Sequence, residues 1–137
     1  MNKIKLLKEL ENKFNNFKIH EDLIGDIINI VSKSGNETNF IRKLGKRLDL
    51  LKAYKDETHL KCNDFEILSY EDNLYSMHIR DKIFNIRILY SFEKDGTILL
   101  HSFNERSGKK ATDYATAIPV AKQRYLECTV YREDYHE

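Results

Sequence analysis

The chain has 137 residues, 41% of them hydrophobic and 33% charged, with a single proline. That composition excludes a disordered or low-complexity polymer and fits one domain with a real core. The formal net charge of +1 and pI near 7.8 exclude a uniformly basic nucleic-acid binder, so any electrostatic footprint must be local. Cys62 and Cys128 lack the CxxC or Cys/His spacing of a zinc site, so reduced thiols and no metal or other cofactor are expected. The opening MNKIKLLKEL is too charged for a signal segment, and no apolar run approaches a membrane span. A soluble cytoplasmic protein is expected.

In chain order, Ile4, Leu7, Leu10, Phe14 and Phe17 recur at helical spacing and predict a helix over 3–15. NNFKIHED interrupts it. Leu23, Ile24, Ile27, Ile28 and Val31 predict a second helix, ended by SKSGN with Gly35 as a left-handed cap. From about residue 38, Ile41, Leu44, Leu48 and Leu51 mark a third, whose other faces carry Arg42, Lys43, Lys46, Arg47, Lys52 and Lys55 against Asp49 alone. A charge run of this kind reads first as a solvated helix face, and second as a track for a phosphate backbone.

From about residue 65 the period changes to two. FEILSY, LYSMHIR, FNIRILYSF and TILLHSF predict four strands in an antiparallel meander, with a tight turn at Asp95-Gly96. TDYATAIPVAKQRYLE predicts a closing helix opened by Ser107 or Thr112, split or bent at Pro119. The expected fold is one α+β domain over 1–137, with the N-terminal helices on one face of a small antiparallel sheet. Alternation sets His78, Arg80 and Arg87 on the other face, and a two-residue turn at Lys82-Ile83 would place His78 directly opposite Arg87. The Asp95-Gly96 turn would put His101 on the face of Ile88 and Tyr90, where a hydrogen-bonded, partly buried histidine is expected. Tyr90 itself reads as core. The loop NERSGKKATDY adds Arg106, Lys109 and Lys110, with Ser107-Gly108 allowing close backbone approach to a phosphate.

The ordered segments LYSMHI, RILYSF, ILLHSFNERSGKK and DYATAIPVAKQRYLE, after a helical hairpin, resemble the RelE/ParE toxins in their HigB-like, phage-derived branch. The resemblance covers about residues 20–127 and leaves 1–18 as an extra N-terminal helix, expected to cover a sheet edge or enlarge a partner surface. It implies the toxin of a type II toxin–antitoxin module, an endoribonuclease cleaving mRNA on the ribosome. A cognate antitoxin would neutralise it, and operator DNA would be bound only through the antitoxin complex. Arg87 matches the arginine of the family's Arg-Ile-Leu-Tyr strand, and Arg106, Lys109 and Lys110 fall in its basic loop. His78 and Ser76 stand where the family has the arginine and glutamate of a Glu-Leu-Arg strand, a departure that makes His78 an acid/base candidate with Arg80 as displaced charge.

Metal-independent RNA cleavage needs a base for the 2′-hydroxyl, cationic stabilisation of the phosphorane and an acid for the 5′-oxygen. Arg87, His78 and Lys109 are the catalytic candidates; Arg80, Arg106, Lys110, Tyr114, Lys43, Lys46 and Arg47 are the candidates for RNA or phosphate contact. The plainer reading of Arg87 is an ion pair with Glu71 or Glu105, and that of Tyr114 is helix-to-sheet packing. The competing function is a non-catalytic protein of the same fold that grips a host protein such as gyrase. Convergence of His78, Arg87, Arg106 and Lys109 in one concave site favours the nuclease; dispersal into surface ion pairs favours the binder.

Overall fold

Helix α1 (Lys3–Lys13) begins where Asn2 turns its side-chain oxygen back to accept the Lys5 backbone N–H at 2.8 Å. It buries Leu6 and Leu10 against α2 (Leu23–Val31) and α3 (Glu37–Tyr54), so it thickens the helical layer and does not cover a sheet edge. The computed structural model describes residues 1–136, with side chains described through Thr129. Between α2 and α3 both Lys33 and Gly35 have positive φ, 62° and 78°, so the left-handed step begins two residues before the predicted glycine. A 3₁₀ turn (Lys55–Glu57) and the one-turn helix α4 (Thr58–Lys61) lead into the sheet.

Five strands pair in the order β1-β5-β4-β3-β2, where β1 is Lys18–Ile19, β2 Phe65–Ser69, β3 Leu74–Arg80, β4 Asn85–Glu93 and β5 Gly96–Asn104. The last four form the predicted meander. β1 was not expected: it runs parallel to β5, so the sheet is mixed rather than antiparallel. Two residues carry too little alternation to be read as a strand. Helices α1–α3 pack on one face through Leu10, Phe40, Leu44 and Leu51 against Met77, Ile79, Ile86, Ile88, Tyr90 and Leu99. Tyr90 is core, as expected.

The other face is not open. Helix α5 (Lys110–His136) lies across it, with Ala117 and Ala121 small enough to bring its axis close to Leu74, Leu89, Ile98 and Leu100. α5 runs through Pro119 without a break in its assignment, where two pieces or a bend were expected. The carbonyl that loses its partner belongs to Ala115, which like Pro119 is exposed, so water can satisfy it. Arg124 fastens the helix by donating to Asp26 at 2.6 Å and to the Leu100 carbonyl at 3.0 Å, and His20 bonds Glu127 at 2.6 Å. No helix among the described residues is long and apolar enough to cross a membrane.

Two irregularities decide which side chains meet α5. In β2 the register shifts between Ile67 and Ser69, and opposite β5 it shifts between Leu89 and Tyr90. The second shift corrects the expectation for His101. The β4–β5 turn is centred on Lys94-Asp95, followed by Gly96 at φ 137°, and pairs Tyr90 with Leu99; the extra residue Leu100 then sets His101 opposite Leu89, on the face of Arg87. There His101 is a partly buried histidine bonded to Asp26 at 3.1 Å, the role expected of it on the other face.

Candidate phosphate site at the end of the sheet

Arg87 lies near the start of β4 on its α5-facing side, and His78 of β3 pairs directly with it, as the Lys82-Ile83 turn predicts. The Arg87 guanidinium donates from Nε to Glu105 at 3.0 Å and from Nη1 to Glu66 at 3.5 Å, and its Cζ sits 5.6 Å from the Tyr114 ring centroid. Its Nη2 has no partner among the described residues. Of the two carboxylates, Glu105 was the one anticipated as an ion-pair partner; the other is Glu66, not Glu71.

Glu66 is the residue that sequence reasoning missed. The shift in β2 sets it directly opposite Ser76. It accepts the Tyr114 hydroxyl at 2.9 Å, lies 3.7 Å from Lys110 Nζ, and keeps about a third of its side chain exposed. Tyr114 in turn bonds the buried Ser76 hydroxyl at 2.8 Å. Tyr114 thus bridges Ser76 on β3 and the Glu66 carboxylate on the neighbouring strand. Burial holds the Tyr114 phenol above its ordinary range, against the Ser76 bond and the Arg87 charge that would lower it. Tyr114 is buried and its ring packs edge-on to Phe103 at 5.4 Å, as the helix-to-sheet packing reading expects.

His78 is not a free acid or base. It is 3% exposed, its Nδ1 accepts Arg80 Nε at 3.2 Å, and its Nε2 bonds the Asn85 side-chain oxygen. Asn85 donates to Glu105 at 3.2 Å, so the chain from Arg80 through His78 and Asn85 ends on the carboxylate that holds Arg87. Burial first, then the Arg87 and Arg80 charges, pull the imidazole from 6.5 down to about 4. Among the described residues it is a neutral strut near pH 7. The unfolded chain takes up a proton below about 6.5 while the native histidine does not, so stability is full above that pH and falls as pH drops toward about 4. The expected loss is roughly 3 kcal/mol at about 1.4 kcal/mol per unit. His78→Gln is expected to flatten the melting temperature between pH 6.5 and 4, read by thermal denaturation across that window.

The remaining cations divide. Lys110 joins the site, also lying 5.9 Å from the Tyr114 ring centroid, and Lys109 is exposed one residue earlier. Gly108, at φ 72°, lies in the turn that leads into this segment. Arg106 is held by Asp113 through Nε at 2.9 Å and Nη2 at 2.6 Å. On α3, Lys43 donates to the Arg80 carbonyl at 2.5 Å, and Arg47 pairs with Asp64 at 2.7 Å and bonds the His78 carbonyl at 3.2 Å. These two pin β3 to α3, and Lys46 is exposed.

Among the described residues, His20, Glu21 and Asp22 bring possible metal-ligand atoms within 4.8 Å of one another, but both His20 nitrogens already have hydrogen-bond partners. Neither cysteine is in a disulfide. No family model, curated protein or solved structure matches this chain.

Proposed function

We propose that the protein is a metal-independent endoribonuclease of the toxin–antitoxin type, acting on mRNA, with the ribosome as its setting and a cognate antitoxin as its inhibitor. The observation that carries this reading is the placement of Arg87. It is a buried guanidinium steered by two carboxylates, Glu105 and the one-third-exposed Glu66, with an uncommitted edge and Lys110 close by. Glu66 takes the 2′-hydroxyl proton, and the resulting oxygen attacks phosphorus. The P–O5′ bond breaks, leaving a 2′,3′-cyclic phosphate and a 5′-hydroxyl. Arg87 stabilises the phosphorane, where one well-placed donor is worth about 3–4 kcal/mol. Lys110 gives a proton to the departing 5′-oxygen, which leaves as the hydroxyl, and Lys109 holds the strand. His78 and Arg80 act at one remove, by positioning Glu105.

The second reading is a non-catalytic binder of a host protein. It is favoured by the engagement of Arg106, Lys43 and Arg47 in local ion pairs or carbonyl bonds. Leu60, Ile67 and Tyr70, 72%, 38% and 79% exposed along the β2 side of the sheet, add an apolar surface suited to a protein partner. Incubating the purified protein with a defined mRNA, free with a chelator and on stalled ribosomes in magnesium buffer, separates the two. The nuclease reading expects fragments ending in 2′,3′-cyclic phosphate; intact RNA in both settings contradicts it.

A further inference from the structure

Beside Arg87, the β3–β4 turn and the segment joining β5 to α5 face one another across a cleft of about 420 Å³. One wall carries Ile83, 57% exposed. The other carries Arg106, whose Nε and Nη2 both donate to Asp113 Oδ1, while its own backbone N–H donates to Asp113 Oδ2 at 2.8 Å. Such a surface pair adds little stability. What it does is fix the guanidinium plane and compensate its charge while leaving the Arg106 side chain 62% exposed. A planar guanidinium held at a surface, opposite an apolar side chain, is a platform on which a base stacks.

The polar groups of the cleft divide by type. Its carboxylates are occupied: Glu105 by Arg87 and Asn85, Asp81 by Asn36, Asn39 and the Lys82 backbone N–H. Apart from the Ser107 hydroxyl, which can donate or accept, its free side-chain groups are donors. Asn104 Oδ1 accepts the Asn85 N–H at 2.8 Å, leaving Nδ2 uncommitted, and Lys82 Nζ has no partner among the described residues. Donors without partners match a base edge made of acceptors, which guanine presents as adjacent O6 and N7 and uracil does not.

We propose that this cleft is a nucleobase subsite that takes a purine, guanine best, between the Arg106 plane and Ile83, with its acceptor edge on Asn104 and Lys82. The inference rests on the reading of Arg87 as a phosphate site and sets the nucleotide's phosphate there. Arg106 then reads the base and does not grip the backbone.

The test titrates the whole protein with guanosine 3′-monophosphate, uridine 3′-monophosphate and inorganic phosphate, using wild type, Arg106→Lys, Ile83→Ser and Arg87→Lys. Arg106 and Ile83 are exposed, and circular dichroism confirms that each variant is folded. Wild type is expected to bind the guanosine nucleotide about tenfold more tightly than the uridine one. Arg106→Lys and Ile83→Ser are each expected to weaken the guanosine nucleotide about five- to tenfold without changing inorganic phosphate, the scale of one lost stacking contact. Arg87→Lys weakens all three ligands. Nucleotide affinity unchanged in both cleft variants overturns the subsite, and phosphate still bound through Arg87 then leaves the phosphate site standing. Affinity that depends on Arg106 and Ile83 but not on Arg87 keeps the subsite and removes the phosphate site. Failure of all three ligands to bind overturns both.

Discussion

Arg87→Lys is expected to lower RNA cleavage at least about 100-fold while the protein stays folded. A lysine can still place one charge between Glu105 and Glu66, but it loses the planar fork and the outward edge that a phosphorane needs, an effect of order 10²–10³ in rate. The cost in stability is about 1–2 kcal/mol for poorer bonds to the two carboxylates. Arg87→Ala is the less informative change. It leaves Glu105, 12% exposed, without its countercharge, a loss of about 3 kcal/mol or more for an uncompensated buried group, and it removes the cation beside the Tyr114 ring. Inactivity of the alanine variant would therefore mix unfolding with chemistry. Cleavage rate and melting temperature measured together on the lysine variant separate them: a folded protein with wild-type activity would make Arg87 a structural ion pair.

The second large effect is expected at Glu66. Glu66→Gln preserves an acceptor for the Tyr114 hydroxyl and for Arg87, and the side chain is a third exposed, so stability should change by no more than about 1 kcal/mol. If Glu66 is the base for the 2′-hydroxyl, the rate falls about 10²- to 10⁴-fold. Removing a negative charge beside Arg87 and Lys110 should at the same time tighten binding of inorganic phosphate. That opposite movement of rate and affinity is what distinguishes a base from a mere ion-pair partner. A Glu66→Gln enzyme with undiminished rate and tighter phosphate binding would remove Glu66 from the chemistry.

Much of this site is legible in the sequence because β3–β4 is a regular hairpin. From the Lys82-Ile83 turn, alternation and counting alone pair His78 with Arg87, and both sit there. The neighbouring hairpins are not regular. A bulge-free β2–β3 pairing extended from Ser69 opposite Leu74 would set Glu66 opposite Met77, facing the α1–α3 core, and Ile67 opposite Ser76. The shift between Ile67 and Ser69 exchanges those faces and delivers the carboxylate to Arg87. Leu100 does the same for His101. Neither bulge has a glycine or proline to announce it. The chemistry of His78 escapes the sequence for a different reason: alternation gives the face of a side chain but not its neighbours there, and Arg80 and Asn85 turn an expected acid/base into a buried neutral strut. The cations of α3 were weighed as a solvated face or an RNA track, and Lys43 and Arg47 instead find partners at the end of β3.

The nuclease reading requires that Arg87 serve a phosphate in a reaction on mRNA. The most direct measurement is induction of the wild type and Arg87→Lys in bacteria lacking any neutralising partner, followed by transcriptome-wide mapping of new mRNA 5′ ends. The nuclease reading expects growth arrest with new 5′-hydroxyl ends inside translated codons for the wild type, and neither for the lysine variant at equal protein level. Growth arrest by the wild type with intact mRNA would contradict it and point to a protein target.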